Sequence, residues 1–246
     1  MTVSARITFA TAARVLRQLR RDHRTVALIL VVPSLLMTLF RYVFDGSPET
    51  FDRVGAPLVG VFPLVIMFLI TSIAMLRERT TGTLERLMSL PIAKLDLLAG
   101  YGIAFALVAA VQAVVTSTVA FGLLGLDTEG PVWLVVLLAV GNALLGMSLG
   151  LFLSAFAATE FQVVQFMPAF ILPQLLLCGL LVPRERMAPL LEWVANALPM
   201  TYAYDALARA TADDVGARLA LDAGVVAGCV VLALALGATT LRRRTP

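Results

Sequence analysis

The chain has 246 residues, of which 60% are hydrophobic and 14% are charged, and its formal net charge is +3. A soluble domain of this length needs a more polar surface, because a compact body cannot hide so many apolar side chains from water. The composition therefore excludes an ordinary soluble enzyme and predicts an integral membrane protein.

Residues 1–25 form a basic arm. Six arginines occur there, and apolar residues recur between them at the helical spacing of three positions. This pattern predicts an amphipathic helix that lies in the headgroup layer of a membrane. The apolar positions are Ile7, Ala10, Ala13, Leu16 and Leu19.

Six apolar runs follow within residues 26–240. A helix needs about 20 apolar residues to cross a hydrocarbon core of about 30 Å, and each run is close to that length or exceeds it. The third and fourth runs are longer, so we expect them to tilt or to extend beyond the hydrocarbon. The sequence thus predicts an all-α integral membrane fold with six transmembrane helices. The predicted spans are 26–44, 57–76, 97–124, 131–156, 163–182 and 219–240.

The distribution of arginine and lysine predicts the orientation. The amino-terminal arm, the 77–96 connection and the 241–246 tail hold most of these residues near the spans, whereas the 45–56 loop holds one and the 127–130 loop holds none. Because basic loops stay on the cytoplasmic side, six spans place both termini in the cytoplasm.

Two connections are long. The segment 183–218, on the predicted outer side, mixes charged residues with Trp193, Tyr202 and Tyr204. It is typical of short amphipathic helices at the membrane interface, with these aromatic residues as anchors. The other long connection, from Arg77, lies on the cytoplasmic side.

Few residues suit catalysis. The chain has no Gly-rich loop followed by Lys-Ser or Lys-Thr, so it lacks the phosphate cradle of an ATPase. Gly146, Ser148 and Gly150 match the G-x-S-x-G pattern of serine hydrolases, but the only histidine, His23, lies in the amino-terminal arm. We favour the interpretation that the two glycines let another helix approach closely. We expect no catalytic residue, metal site or cofactor in this chain.

The predicted span interiors are nearly free of charge, which disfavours an ion-coupled carrier. Their polar residues are mostly neutral amides, which we interpret as partners in hydrogen bonds between helices. These amides are Gln112, Asn142, Gln165 and Gln174.

The cytoplasmic connection contains a short predicted helix at 80–90. Threonines around Gly82 mark a turn and a helix start, leucines and a methionine give one apolar face, and Pro91 ends the helix. A short helix with an apolar face and a charged rim suits docking in a groove of another protein. The residues alone leave open an ordinary loop helix that packs on its own bundle.

Two segments carry a resemblance to a known family. The sequence RERTTGTLERLMSLPI at 77–92 resembles the signature of the membrane subunits of type-2 ABC exporters, the group that includes drug- and polysaccharide-export permeases. The resemblance continues in PLLEWVANALPMTYAYDALA at 189–208, with Gly179 and Pro183 before it. Six spans and a basic amphipathic start agree with the same family.

This resemblance implies a half-transporter in a bacterial plasma membrane. Two copies, or this chain and a paralogue, would assemble with two ATP-binding cassette subunits that hold the ATP and magnesium; membrane lipids surround them and no nucleic acid is involved. Residues 8–24 would be the connecting helix and 80–90 the coupling helix that contacts the ATPase. The residues implied in ATPase coupling are Arg79, Thr83, Leu84, Glu85, Arg86, Leu87 and Met88.

The resemblance also implies that spans 2 and 5 line a translocation path between protomers. A path with few charges favours a hydrophobic or amphiphilic cargo, such as a drug or a lipid, moved outward. A lipid-linked glycan is the alternative, although only 8% of the chain is aromatic. The candidate lining residues are Phe62, Met67, Phe68, Phe166, Met167 and Phe170.

Overall fold

The computed structural model describes residues 4–83, 86–87 and 94–240, and these residues form nine α-helices without a strand. A π-helical turn extends α4 over Thr118–Leu123, a 3-10 turn extends α5 over Ser154–Phe156, and another 3-10 turn at Arg184–Arg186 precedes α7. The helices are α1 Ala5–Arg21, α2 His23–Val43, α3 Pro48–Thr80, α4 Lys94–Ser117, α5 Val132–Leu153, α6 Glu160–Leu177, α7 Pro189–Ala197, α8 Pro199–Thr211 and α9 Ala217–Thr240.

Six of the described helices are long and apolar enough to cross a membrane, namely α2, α3, α4 with its extension, α5, α6 and α9. The predicted all-α fold with six spans is confirmed. The first and last spans of the bundle, α2 and α9, and also α6, bury only about a fifth of their apolar window inside the chain. The remaining surface of these helices is left for lipid or for another chain.

Two helix limits differ from the apolar runs. Helix α3 begins at Pro48, so that most of the predicted 45–56 loop is helical. Proline suits the first helical turn because its missing N–H has no partner there anyway. Helix α6 starts three residues before the apolar run, because the Thr159 side chain accepts a hydrogen bond from Gln162 N, and it ends before Gly179, whose φ is +103°.

Helix α1 packs along the start of α4 through small residues. Its buried side chains are Thr8, Thr11, Ala12 and Val15, whereas Ala10 and Ala13 of the predicted apolar face are exposed. A Cβ atom at position 100 would lie 2.8 Å from Thr8 O, so a glycine in α4 permits this approach. A helix is present in the predicted arm, and small residues in contact with α4 determine which face it buries.

Helices α3 and α5 form the centre of the bundle. A Cβ atom at Gly146 would overlap Leu64 O, and one at Gly150 would crowd Phe68 O. The Ser72 hydroxyl also donates to Gly150 O at 3.1 Å. The interpretation of the two glycines as a close-packing motif is therefore confirmed.

The outer segment folds into α7 and α8. Helix α8 buries one face against α3, α5 and α9, and Asn142 of α5 donates to Ala203 O at 3.3 Å, a bond between helices as predicted for that amide. Helix α7 leaves Leu190 and Trp193 more than 70% exposed. The two helices thus differ: α8 belongs to the core, and α7 presents an apolar face to its surroundings.

Candidate functional site

Helices α1, α3 and α4 meet at a buried polar contact, here called the α1 junction and formed by Arg14, Glu78 and Tyr101. Arg14 Nη1 lies 3.3 Å from Glu78 Oε1, and Arg14 Nη2 donates to the Tyr101 hydroxyl. Glu78 is 7% exposed and Tyr101 is 1% exposed. A carboxylate buried to this degree is costly unless it is paired, so Arg14 holds the end of α3 against α1.

The charge state of Arg14 is fixed by the same contacts. Partial burial lowers the pKa of Arg14, but the interactions with Tyr101 and Glu78 outweigh this effect, and the pKa lies above its ordinary value. The guanidinium therefore remains charged at every physiological pH.

A second contact holds the start of α1. Asp96, in the first turn of α4, is 1% exposed, and its Oδ1 accepts from Ser4 N at 2.8 Å and from the Thr8 hydroxyl at 3.4 Å. A carboxylate at this end of α4 also suits the helix dipole. Helix α1 is thus attached to α4 near its first turn by Asp96 and to α3 near its middle by Glu78.

The predicted coupling segment continues directly from α3. Thr81 Oγ1 donates to Arg77 O at 2.7 Å, Gly82 has a φ of +70°, and Arg86 N donates to Gly82 O at 3.0 Å. The last bond has the spacing of an α-helix, and Thr83, Arg86 and Leu87 are helical.

The structure places four of the seven predicted coupling residues at this end of the bundle. Arg79 and Thr83 are half-buried, Arg86 is exposed, and Leu87 is half-buried against the core. A cavity of about 540 Å³ is lined by Thr80, Thr81 and Thr83 together with Arg14 and Glu78. The segment thus shares a cavity with the α1 junction. Leu84, Glu85 and Met88 lie outside the described residues.

A further ion pair joins α3 to α6. Arg77 Nε donates to Glu160 Oε1 at 2.7 Å, and Arg77 Nη2 donates to Glu160 Oε2 at 3.1 Å. Because the guanidinium makes two hydrogen bonds to one carboxylate, the contact fixes the relative orientation of the two side chains as well as their distance. Since both side chains are more than half exposed, the contact contributes little stability and mainly sets where α6 begins relative to α3.

The predicted path residues occupy different environments. Met67 and Phe68 are 0% exposed, inside the chain where α3 meets α5. Phe62 is half-buried and packs edge-on against Phe40 of α2. Phe170 is 38% exposed on α6. The two other residues, on the same helix, are half-buried: Phe166 and Met167.

The opposite side of the bundle carries ion pairs that the sequence analysis missed. Arg184 contacts Asp205 and donates to Asn196 Oδ1 at 3.0 Å. Arg209 bridges Asp214 at 2.7 Å and Asp222 at 3.1 Å. The partners are 5 to 21 residues apart. In the sequence, the available sign of these ion pairs was the occurrence of isolated charges among apolar residues of the 183–218 segment. These pairs fix α8 to α9 and to the turn before α7.

The serine motif has no catalytic geometry. Ser148 is 0% exposed, and its hydroxyl donates to Leu145 O of its own helix at 2.9 Å. Within the described residues no group of three or more histidine, cysteine or acidic side chains is placed to hold a metal ion. Nothing in this part of the chain supports a hydrolase.

The comparison with known proteins identifies the family. The family model described as "ABC-2 type transporter" matches residues 7–210. The chain is 30% identical over 164 residues, 66% of its length, to ABC transporter G family member 20 of Dictyostelium discoideum, and covers 22% of that protein. It is 27% identical over 168 residues, 68% of its length, to the inner membrane transport permease YhhJ of Escherichia coli K12, and covers 44% of it.

A third relative carries a more specific name. The probable multidrug ABC transporter permease YbhR of Escherichia coli K12 is 25% identical over 139 residues, which are 56% of this chain and 37% of that protein. The chain therefore spans less than half the length of each of these curated relatives. The match covers the basic arm, the coupling segment, the first five spans and most of the outer segment. The resemblance drawn from the two sequence segments is confirmed: the chain belongs to the ABC-2 type transporter family.

Proposed function

We propose that this chain is a permease subunit of an ABC exporter that moves a hydrophobic or amphiphilic small molecule out of a bacterial cell. ATP and magnesium are held by separate ATP-binding cassette subunits, which contact the 80–90 segment. The observation that carries this proposal is the continuity between that segment and the α1 junction. The first helical bond of the segment, from Arg86 N to Gly82 O, begins two residues beyond the end of α3.

Contacts within the bundle connect the 80–90 segment to the spans. A force on residues 80–90 reaches α3 directly, and the ion pair of Arg14 with Glu78 passes it to α1 and α4. The pair of Arg77 with Glu160 passes it to α6. Packed helices of this kind switch between discrete arrangements instead of bending continuously. Closure of the cassette subunits on ATP would thereby shift α3 and α6 together.

A second copy of the chain, or a paralogue, completes the path. Helix α6 exposes the apolar side chains Phe161, Phe170 and Leu176, which suit a partner chain or lipid. The lining residues in this arrangement are Phe62, Phe166, Met167 and Phe170. Met67 and Phe68 would reach the path only if α3 separates from α5.

The orientation follows from the distribution of charge. The α1 junction, the coupling segment and the pair of Arg77 with Glu160 lie on one side, which holds the basic arm. Cytoplasmic termini in the plasma membrane are therefore proposed on the excess of arginine there. The cargo is proposed as a drug or a lipid, because the candidate lining residues are apolar and one relative is named a multidrug permease.

Transport into inside-out vesicles tests the proposal. The chain is co-expressed with its cassette subunit, and uptake of a fluorescent lipophilic drug is compared with uptake of a labelled lipid-linked glycan, with and without ATP. ATP-dependent drug uptake that is lost in Phe170→Asp supports the proposal. ATP-dependent uptake of the glycan alone assigns the alternative cargo. Uptake that requires a proton gradient and ignores ATP overturns the exporter proposal.

A further inference from the structure

A second groove lies away from the coupling segment, between α1, α2 and α4. Its volume is about 440 Å³, within the range of roughly 300–1,000 Å³ that is usual for small-ligand sites. Leu16 and Leu19 of α1, Val26 of α2 and Leu107 of α4 contribute to its wall. Eight of its nine lining residues are apolar, so the groove suits a hydrocarbon chain and offers little to a polar solute.

The ninth lining residue is Arg20, which is exposed at the carboxyl end of α1. Helix α1 contains no acidic residue, and among the described residues no carboxylate lies within ion-pair distance of Arg20. The nearest acid in sequence, Asp22, accepts from Thr25 and lines a different cavity, which also borders α3 and shares only Leu19 with the groove. The groove wall is therefore almost wholly apolar, since Arg20 lines it with its aliphatic stem, and the Arg20 guanidinium lacks a counter-ion within the described chain.

The position of the groove fits the membrane surface. Helix α2 is the first span and starts at His23, so Val26 and Leu30 belong to its first two turns. Arg20 lies just before this start. An arginine at this level meets lipid phosphates, while the chain segment below it meets hydrocarbon.

We propose that this groove binds one phospholipid with an anionic headgroup, whose phosphate pairs with Arg20 and whose acyl chain fills the space between Leu16, Leu19 and Leu107. The acyl chains of all membrane lipids are as apolar as the groove wall, so an acyl chain in the groove gives no preference for a particular lipid. The selectivity for an anionic lipid comes from the headgroup, through its contact with Arg20. The site depends on the six-span fold alone, and its lipid is a bound component and not the transported cargo.

Native mass spectrometry of the full chain in detergent tests the site. The probes are phosphatidylglycerol and phosphatidylcholine with identical palmitoyl and oleoyl chains. The first molecule of phosphatidylglycerol is expected to bind about fivefold tighter than the first molecule of phosphatidylcholine. This ratio corresponds to one arginine contact with an anionic membrane lipid. Arg20→Gln should abolish this preference. Arg17→Gln is the matched control, because Arg17 is exposed on the same helix, donates to Ala13 O and is absent from the groove wall.

A second variant separates the groove from surface charge. Leu107 is 53% exposed, so Leu107→Trp should fill the groove, remove the first bound lipid of either kind and leave the thermal midpoint unchanged. Equal affinities for the two lipids in the unaltered chain would overturn the proposal. So would equal losses in Arg17→Gln and Arg20→Gln, or undiminished lipid binding in Leu107→Trp. Binding of chain-free glycerol 3-phosphate as tight as that of the lipid would also contradict an acyl-chain site.

Discussion

Arg14 of α1 and Glu78 of α3 form an ion pair across 64 residues of sequence, and the Glu78 side chain is only 8% exposed. The pair is the direct link between the basic arm and the helix that leads into the coupling segment. Removal of one partner leaves the other charge partly buried without a counter-ion, whereas removal of both leaves an apolar contact.

Glu78→Leu and Arg14→Met should each lower the free energy of unfolding by about 1.5–3 kcal/mol, the usual range for hydrogen bonds to charged groups. The double variant Arg14→Met with Glu78→Leu should recover most of the loss. Thermal unfolding in detergent measures these effects. The control is Asp45→Asn in the pair of Arg41 with the exposed Asp45, and this change should cost at most about 1 kcal/mol. Additive losses at Arg14 and Glu78 would show that the pair is not coupled.

Gly146→Ala should destabilise the chain by about 3 kcal/mol, because the added methyl would overlap Leu64 O and force α3 away from α5. Gly141→Ala on the same helix is the matched control, since nothing lies within 4 Å of its Cβ position. That change should be neutral or stabilising by up to about 1 kcal/mol, owing to the better helix propensity of alanine. Equal thermal midpoints for the two variants would contradict the close packing of α3 and α5.

The start of α2 should be sensitive to acid through Asp22. The Thr25 hydroxyl donates to Asp22 at 2.6 Å and Thr25 N donates at 3.1 Å, and these bonds lower the pKa of Asp22 below its ordinary value of 3.8. Because the folded-state pKa is the lower one, this stabilisation is fully present above pH 3.8 and is lost as the pH falls through the folded value.

Asp22→Asn keeps the helix cap but has no carboxyl to titrate, so it should remove this acid-dependent part of the unfolding curve. Asp22→Ala should lose about 1 kcal/mol already at neutral pH. Unfolding measured from pH 6 to pH 3 makes the comparison. An acid limb of the same size in the asparagine variant would assign the acid sensitivity to other carboxyl groups.

Arg77→Glu should reduce ATP-dependent transport strongly while the thermal midpoint changes little, since the pair with Glu160 is exposed but joins α3 to α6. The reversed pair, Arg77→Glu with Glu160→Arg, should restore a large part of the transport. Vesicle uptake and thermal unfolding of the same preparations provide the two readouts. A failure of the reversed pair to restore any transport would argue that Arg77 acts through another contact.

The six spans follow from the sequence because bilayer burial demands long apolar runs, and such runs are visible without any tertiary information. The extension of α3 back to Pro48 is not visible in this way, since residues 48–56 are mixed in polarity and become helical through packing. The apolar face of α1 was predicted from positions that include Ala10 and Ala13, which are exposed. In the structure Thr8 and Thr11 contact α4, because small side chains are what Gly100 permits.

The candidate site also has features that the sequence predicts and features that it does not. The 80–90 segment is detectable from local features, namely threonines around a glycine followed by an apolar face. The partner of Glu78 is not detectable, because Arg14 is distant in sequence and no local spacing marks a pair between two helices. The path residues Met67 and Phe68 also show this limit: an apolar side chain in a span gives no sign of whether it faces a neighbouring helix or a partner chain.

The coupling of the 80–90 segment to a cassette subunit is tested most directly by ATPase activity of the purified chain alone and in complex with that subunit. We expect activity only in the complex, with a severalfold decrease in Glu85→Ala and in Arg86→Ala. Arg21→Ala, an exposed change on α1, should leave the activity unchanged. A complex whose ATPase activity is the same in all three variants, or a chain that binds no cassette subunit, would contradict the account.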